Sequence, residues 1–286
     1  MRRLLIRPGA LGDFLVSLPA LEALRTDYTE LWTVAAHLPL SGFATRARAL
    51  SSTGLDLLEL GLAPPELWRH LATFDSIVSW YGTTRQEFRH AVRHLPFTFL
   101  PALPEAGSSL HATEFYARQA ESLGVRLERK APRIAVPRVR AMPYAALHPF
   151  SGSPRKNWPI ERFLALAARL DLPAAFTAGP EEELPASVPT RRFAGTGELA
   201  AWLGNAAYYI GNDSGPTHLA AATGTPTLAI FGPTDPEVWA PPSALVLHAT
   251  PGGADPWPTV EQALAALVEL RRCTDASSSS LPLPPP

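Results

Sequence analysis

Short apolar runs that alternate with amphipathic segments constrain the fold of this chain more than any other feature of its sequence. The first run, residues 4–7, precedes a segment whose apolar residues recur at helical spacing from Phe14 to Leu24. The same order of strand and helix recurs along most of the chain. It predicts an α/β protein whose parallel strands are covered by helices on both faces.

The alternation is interrupted once, and it ends before the C-terminus. In the first half we predict further strands and helices, with strands at 31–36, 55–60, 75–80 and 96–100 and helices at 66–73, 85–94 and 111–123. Residues 128–143 are rich in proline and arginine and predict a linker, beyond which the pattern restarts. We therefore predict two Rossmann-like domains, residues 1–137 and 138–272, and a disordered tail at 273–286.

Composition excludes several classes of protein. Hydrophobic residues make up 46% of the chain and charged residues 18%, a balance that can bury real cores. The single cysteine, Cys273, excludes an internal disulfide and a cysteine metal cluster, and it suits a reducing compartment. Arg7, Pro8 and Asp13 interrupt the N-terminal apolar run, so we expect a strand, loop and helix there rather than a signal peptide. No uninterrupted apolar stretch reaches about 18 residues, so we expect no membrane span.

Charge is unevenly placed along the chain. Residues 1–140 carry a net charge of +4, and residues 141–286 carry −5. The positive half suggests an anionic partner, such as a phosphorylated acceptor or lipid headgroups, although an ordinary solvated surface gives the same asymmetry. Only two of the 25 basic residues are lysines, Lys130 and Lys156.

The first loop of interest follows the first strand. Gly9 and Gly12 let the backbone approach a ligand, at the strand end where open α/β sheets bind ligands. Their spacing is G-x-x-G, which is not the dinucleotide fingerprint G-x-G-x-x-G. Spacing alone favours Asp13 as a helix N-cap, and a catalytic role is compatible with the cap.

The second loop, residues 148–159, again lies between a strand and a helix. Ser151, Gly152, Ser153 and Lys156 precede the helix and form a predicted phosphate cradle. The loop is not a Walker A motif. The alternative is a surface loop with ordinary basic residues, but a lysine retained in an arginine-biased chain favours a functional interpretation.

The third loop, residues 211–218, leads from another strand into another helix. Asp213, Ser214, Gly215 and Thr217 are candidates to hold a second phosphate or ribose oxygens. The alternative, compatible with binding, is an N-cap by Asp213 or Ser214. His218 lies inside the helix, where a packed histidine is more usual than a catalyst.

One acidic run and several absent motifs complete the survey of candidate residues. Glu181 opens an acidic run after a strand, where it either starts a solvated helix or reaches a ribose. The sequence has no D-x-D pair, H-E-x-x-H motif or G-x-S-x-G elbow. We therefore predict no metal site.

Three segments together resemble the family 9 glycosyltransferases, whose best-known members are the heptosyltransferases of lipopolysaccharide core assembly. They are RPGALGDFLVSLPALEALR, LHPFSGSPRKNWPIERFLALA and GNDSGPTHLAAATGTPTLAIFGPTDPEVWAP. The resemblance implies the GT-B architecture, in which two Rossmann-like domains face a cleft and the C-terminal domain binds the donor. It also implies an inverting reaction without a metal.

By position, the resemblance implies Asp13 as the catalytic base and Lys156 as the contact to the donor phosphates. Asp213 and Ser214 match the donor-site motif, and Glu181 matches the ribose contact. The N-terminal half is short for the family, so no acceptor-binding arginine is carried over.

The resemblance also implies the substrates and the location of the protein. The implied donor is a nucleotide sugar, with ADP-heptose as the family-level candidate, and no cofactor is expected. The acceptor is an anionic glycan or glycolipid of the lipopolysaccharide type, and nucleic acid is not an expected partner. The expected location is the cytoplasm, with peripheral contact at the inner face of the membrane as an option. Two alternatives stay open, a nucleotide-sugar epimerase and a non-catalytic sugar-nucleotide-binding protein on the same fold.

Overall fold

The computed structural model describes residues 1–139, 142–250 and 255–278. The chain divides into two compact units. The N-terminal unit comprises Met1–Pro132 with Gly195–Gly197, and the C-terminal unit comprises Arg133–Ala194 and the described residues from Glu198 onwards. The predicted boundary between residues 137 and 138 falls slightly later, in a stretch that carries neither helix nor strand where it is described.

The N-terminal unit is built on a sheet of five parallel strands in the order β3-β2-β1-β4-β5. The strands are β1 (Arg2–Arg7), β2 (Tyr28–Thr33), β3 (Arg46–Ala49), β4 (Ser76–Ser79) and β5 (Phe97–Phe99). The helices are α1 (Leu11–Ala23), α2 (Pro65–Leu71), α3 (Gln86–Ala91) and α4 (Ala112–Ser122). The strand order reverses between β1 and β4, which creates a topological switch point at their carboxyl ends.

The C-terminal unit repeats this plan with six parallel strands in the order β8-β7-β6-β9-β10-β11. The strands are β6 (Ala145–His148), β7 (Ala174–Thr177), β8 (Thr190–Arg191), β9 (Tyr208–Asn212), β10 (Thr227–Phe231) and β11 (Leu245–His248). The helices are α5 (Ile160–Ala167), α6 (Thr196–Gly204), α7 (Gly215–Ala222), α8 (Pro236–Trp239) and α9 (Val260–Ser278). The switch point here lies between β6 and β9.

Each sheet has its own apolar core. In the N-terminal unit Leu4, Ile6 and Trp32 are fully buried beneath the helices, and in the C-terminal unit Trp158 and Ile210 are fully buried. Strands buried on both faces explain why the central runs read as continuous apolar segments. The prediction of an α/β fold with two parallel sheets is confirmed.

Several predicted elements differ from the observed ones. The strand predicted at 55–60 is wrong, because Leu55–Leu57 forms a short 3-10 helix. Leu55 and Leu58, three residues apart, are both buried there, whereas Leu60 is exposed. The strand predicted at 31–36 begins earlier, as β2, and gives way to a 3-10 helix at Ala35–Leu40.

Three edge strands and the last helix also differ from the predicted elements. The strands β3, β8 and β11, which the sequence did not predict, all lie at sheet edges. The helix α9 continues to Ser278, within the segment predicted as a disordered tail, and residues 279–286 lie outside the described residues. Among the described residues, no helix has the length and apolar character that spanning a membrane requires.

Candidate functional site

The three loops singled out from the sequence all follow strands that flank the switch points. Residues 8–10 follow β1 in the N-terminal unit. The other two loops follow β6 and β9, which are neighbours in the C-terminal sheet. Because parallel strands end at the same edge of a sheet, the two loops of the C-terminal unit lie side by side.

Lys156 and Asp213 meet at this edge. Lys156 Nζ donates a hydrogen bond to Asp213 Oδ2 at 2.8 Å, and Thr234 Oγ1 donates to the same oxygen at 2.7 Å. The Asp213 side chain is 7% exposed and that of Lys156 is 31% exposed, so the cation faces solvent while the carboxylate lies beneath it. An ammonium has three donors, so Lys156 can hold Asp213 and still reach an anion.

Asn212 joins the second and third loops. Its Nδ2 donates to the Pro149 carbonyl oxygen at 2.8 Å, and its Oδ1 accepts from the Trp158 backbone N–H at 3.0 Å. Asn212 is fully buried, so its amide replaces solvent for both backbone groups. The sequence analysis did not select Asn212, although its position at the end of a buried strand was a usable signal.

The predicted phosphate cradle has an internal frame. Ser151 Oγ lies 2.7 Å from both the Ser153 carbonyl oxygen and Asn157 Oδ1, and it accepts from the Ser153 N–H at 3.3 Å. Gly152 is exposed, and no atom lies within 4 Å of where its Cβ would be. The loop is thus held in shape from inside while its outer surface stays open.

The start of α7 supplies the third predicted group. Gly215 is the first helical residue and Ser214 occupies the N-cap position, but the Ser214 side chain makes no capping hydrogen bond. Ser214 Oγ instead lies 3.2 Å from Thr217 Oγ1, which donates to the Asn212 carbonyl oxygen. The expected side-chain cap is therefore absent at this helix. Thr217 is fully buried and supports the loop from beneath.

The acidic run after β7 points a different glutamate inward. Glu181 is exposed, whereas Glu182 Oε2 accepts from the Gly179 N–H at 2.5 Å and lies 3.7 Å from His148 Nε2. Burial lowers the pKa of His148, although the Glu182 charge acts in the opposite direction. The inward direction of Glu182 was not predictable, because a run of three glutamates gives no signal of which one turns inward. The prediction of Glu181 as a ribose contact stays a prediction.

In the N-terminal unit, Asp13 lies in the first turn of α1 and is partly exposed. The helix begins at Leu11, and the N-cap position belongs to Ala10, so the prediction of Asp13 as the N-cap is wrong. Gly9, at a φ of +118°, lets the chain turn early enough for the helix to start before Asp13. Gly12 is consequently a helical residue rather than a loop residue.

Arg7, which the sequence analysis did not select, lies beneath this turn. It is 1% exposed and donates to the carbonyl oxygens of Pro8 and Asp13, both at 2.8 Å. It also donates to Ser17 Oγ at 2.9 Å and to Tyr116 Oη at 2.8 Å. Burial raises the pKa of Tyr116 to about 12, so its hydroxyl stays neutral and accepts from the guanidinium.

His37 packs against α1, close enough to Arg7 for the guanidinium charge to act on its ring. Its ring stacks on Phe14 of α1 with centroids 4.8 Å apart, and Nδ1 lies 3.4 Å from Thr33 Oγ1. Burial, with a smaller contribution from the Arg7 charge, lowers the pKa of His37 to about 4. His37 is therefore a neutral packing residue at pH 7.

Comparison with known proteins matches the part of the chain that carries the second and third loops to a family. The family model described as glycosyltransferase family 9 (heptosyltransferase) matches residues 105–252, slightly more than half of the chain. A lipopolysaccharide heptosyltransferase 3 from Escherichia coli is 30% identical over 135 residues, which are 42% of this chain and 40% of that protein. The match therefore covers less than half of the curated relative.

Solved structures share the fold over nearly the whole chain. A family 9 glycosyl transferase from Veillonella parvula has a TM-score of 0.74 at 20% identity, covering 94% of this chain and 96% of that one. The E. coli heptosyltransferase WaaC, solved with ADP, has a TM-score of 0.69 at 18% identity, covering 94% of this chain and all of that one. E. coli ADP-heptose lipopolysaccharide heptosyltransferase II has a TM-score of 0.72 at 16% identity, covering 96% and 100%. With two parallel sheets of this order and a family model that matches more than half of the chain, the chain belongs to glycosyltransferase family 9.

Proposed function

We propose that this protein is an inverting, metal-independent glycosyltransferase that transfers a heptose from ADP-heptose to a lipopolysaccharide-type or other anionic glycan. The observation that carries the proposal is the contact between Lys156 and Asp213 at the switch point of the C-terminal sheet. The choice of donor follows the relatives, which are named as heptosyltransferases, one of them solved with ADP.

On the donor side, the departing diphosphate gains negative charge as the glycosidic bond breaks. The Lys156 ammonium, the open face of the loop at Ser151–Ser153 and the N-terminus of α7 at Gly215 supply positive potential to it. These groups are held by internal hydrogen bonds before the donor arrives, so little reorganisation is needed during the reaction. In this proposal they take the place of a metal ion.

We assign Asp213 to the sugar rather than to the phosphates. A carboxylate close to a diphosphate is repulsive unless a cation lies between them, and Lys156 occupies that position. Oδ2 of Asp213 already accepts from Lys156 and Thr234, so Oδ1 is the oxygen we assign to a donor hydroxyl. Glu181 stays our predicted ribose contact, because it is exposed while Glu182 is bonded to Gly179.

On the acceptor side, Asp13 removes the proton from an acceptor hydroxyl. The alkoxide oxygen attacks the anomeric carbon from the face opposite the diphosphate, the bond to the phosphate oxygen breaks, and the configuration inverts. General-base assistance of this kind contributes about two to four orders of magnitude in rate. The positive charge of the N-terminal half favours an anionic acceptor. A lipid-linked acceptor would place the enzyme in the cytoplasm, in peripheral contact with the inner face of the membrane.

The direct test is ADP release from ADP-heptose, with and without a lipopolysaccharide-core acceptor, in excess chelator. The proposal predicts release that depends on the acceptor and persists with chelator, together with an inverted product. Conversion of the donor without acceptor would indicate an epimerase, and binding without turnover would indicate a non-catalytic module. Activity lost in chelator and restored by magnesium or manganese would contradict the metal-independent mechanism.

A further inference from the structure

The guanidinium of Arg7 is a buried cation without an ion-pair partner. No ion pair of the described residues includes it, and its side chain is closed to solvent. Burial lowers the pKa of Arg7, and electrostatic interactions with Tyr116 and Asp13 offset this only in part. Because taking a charge out of water is costly, a buried arginine of this kind needs a network of hydrogen bonds. Such a network is present, and most of it reaches the loop after β1 and the first turns of α1.

Three of the four hydrogen bonds of Arg7 end on the segment that carries Asp13. They reach the carbonyl oxygen of Pro8, the carbonyl oxygen of Asp13 itself, and the hydroxyl of Ser17 one turn further along α1. Together they span the loop and the first turns of the helix. A planar fork with several donors can hold such separated acceptors at fixed angles, which a single ammonium cannot.

The fourth hydrogen bond ties this assembly to a different element. Arg7 donates to Tyr116 of α4, and the Tyr116 hydroxyl in turn donates to the Ala102 carbonyl oxygen at 2.6 Å. The guanidinium also lies over the Tyr116 ring, 5.0 Å from its centroid. Arg7 thus links the Asp13 turn to α4, the helix that packs against α1.

The surroundings of Gly9 show how closely the Arg7 guanidinium and the Asp13 carboxylate approach the same point of the turn. A Cβ at Gly9 would lie 3.3 Å from Arg7 Nη1 and 3.5 Å from Asp13 Oδ2. The guanidinium and the carboxylate therefore flank the same small volume, with the glycine between them. A shift of the guanidinium would move the carbonyl of Asp13 and, with it, the carboxylate.

From these contacts we propose that Arg7 is a positioning residue for Asp13. It cannot touch a substrate, since it is buried, and it acts by fixing the turn from which the Asp13 carboxylate projects. This inference rests on the proposed function, in which Asp13 is the base. Misplacing a reacting group by about 1 Å can cost about a hundredfold in rate, so positioning of this kind is worth a substantial part of kcat.

The test is a double-mutant cycle in the full chain, with acceptor-dependent ADP release measured in single turnover. Arg7→Lys, which keeps the charge and loses the fork, should lower the rate by about 10- to 100-fold with Asp13 present. In the Asp13→Asn background it should change the residual rate by less than about twofold, because the group it positions is already disabled. The KM for the donor should stay unchanged.

Arg3→Lys is the matched control. Arg3 lies on the same strand, is 8% exposed and donates to the Leu24 carbonyl oxygen, away from the Asp13 turn. It should lower the melting temperature without a comparable loss of rate. Should Arg7→Lys fail to fold, Tyr116→Phe removes one acceptor of the guanidinium and should give a smaller loss that again disappears in the Asp13→Asn background.

Two results would overturn the inference. One is a loss of rate from Arg7→Lys that is equal in the wild-type and Asp13→Asn backgrounds, which would mean that Arg7 only stabilises the fold. If Tyr116→Phe has to be used instead, the same result for that variant counts equally. The other is no loss at all from the variant used. The proposed function fails separately, if Asp13→Asn alone is as active as the wild type.

Discussion

Lys156 is the cation on which the donor-binding proposal depends. Lys156→Ala should weaken nucleoside diphosphate binding by roughly tenfold or more, since a charge-assisted hydrogen bond contributes about 1.5–3 kcal/mol. Lys156→Arg should be tolerated only in part, because a planar fork does not reproduce a compact ammonium beside Asp213. Titration calorimetry with ADP measures both variants.

The control for this prediction lies next to Lys156. Arg155 is in the same loop and is exposed, but its substitution leaves the contact to Asp213 in place. Arg155→Ala should therefore weaken ADP binding far less than Lys156→Ala does. Equal losses in the two variants would mean that the loop offers only general positive charge.

His37 gives the N-terminal unit a pH-dependent stability. Its pKa is lowered to about 4 in the folded state, mainly by burial, whereas a histidine in an unfolded chain titrates near 6.5. The unfolded state thus binds more protons between these values, and stability is lost as the pH falls from about 6.5 to about 4. Above pH 6.5 the contribution is complete.

His37→Gln tests this dependence. The variant lacks the titrating ring, so its melting temperature should fall less steeply than that of the wild type between pH 7 and pH 4.5. Differential scanning calorimetry at several pH values measures both curves. Parallel curves over this range would show that His37 does not titrate as its burial indicates.

The turn between β1 and α1 is strained for any residue except glycine. Gly9 has a φ of +118°, so Gly9→Ala should destabilise the protein by about 1–3 kcal/mol. It should also lower kcat, since the new Cβ would press on Arg7 and Asp13. Gly42→Ala is the control, because no atom lies within 4 Å of its Cβ position and its φ is not positive. Urea unfolding and turnover of both variants decide between local strain and a general glycine effect.

The central strands and the edge strand β5 were predictable from the sequence, and the edge strands β3, β8 and β11 were not predicted. Leu4 and Ile210 belong to strands that are buried on both faces of their sheets, and such strands form continuous apolar runs in the sequence. The edge strand Arg46–Ala49 alternates arginine and alanine, and Thr190–Arg191 has only two residues, so neither carries a strand signal. The leucines near 55–60 mimicked a strand because apolar content does not distinguish a short 3-10 helix from one.

The positions of the candidate site's loops were predictable because they follow from the order of the strands. The directions in which individual side chains point were not predictable. Lys156 and Asp213 lie in loops that follow neighbouring parallel strands, so topology alone brings them to one edge. The sequence gives no comparable rule for Glu182, or for Arg7, whose hydrogen bonds reach a helix more than a hundred residues away. The role of each site residue in binding or catalysis stays a prediction.

The two units are assigned different substrates, and this assignment has a measurable consequence. ADP should bind mainly to residues 141–272, since two of the three loops lie there. Hydrogen exchange of the full chain should therefore slow at residues 149–158 and 212–218 when ADP is added. Protection confined to the N-terminal unit would contradict the assignment.

The proposed mechanism depends on Asp13 as the base of the glycosyl transfer. Because Asp13 is not the N-cap of α1, its side chain acts on stability through the helix dipole, by about 0.3–1 kcal/mol, and through its charge near the buried Arg7 guanidinium. Asp13→Asn keeps the shape of the side chain and cannot accept a proton. Any loss of turnover in this variant is therefore not explained by loss of a cap.

The most direct test is kcat of Asp13→Asn with ADP-heptose and acceptor, measured beside its affinity for the donor. We expect kcat to fall by about 10²- to 10⁴-fold while the Kd of the donor changes by less than about twofold. An Asp13→Asn enzyme with near wild-type kcat would contradict the account, because the acceptor would then be activated by another group.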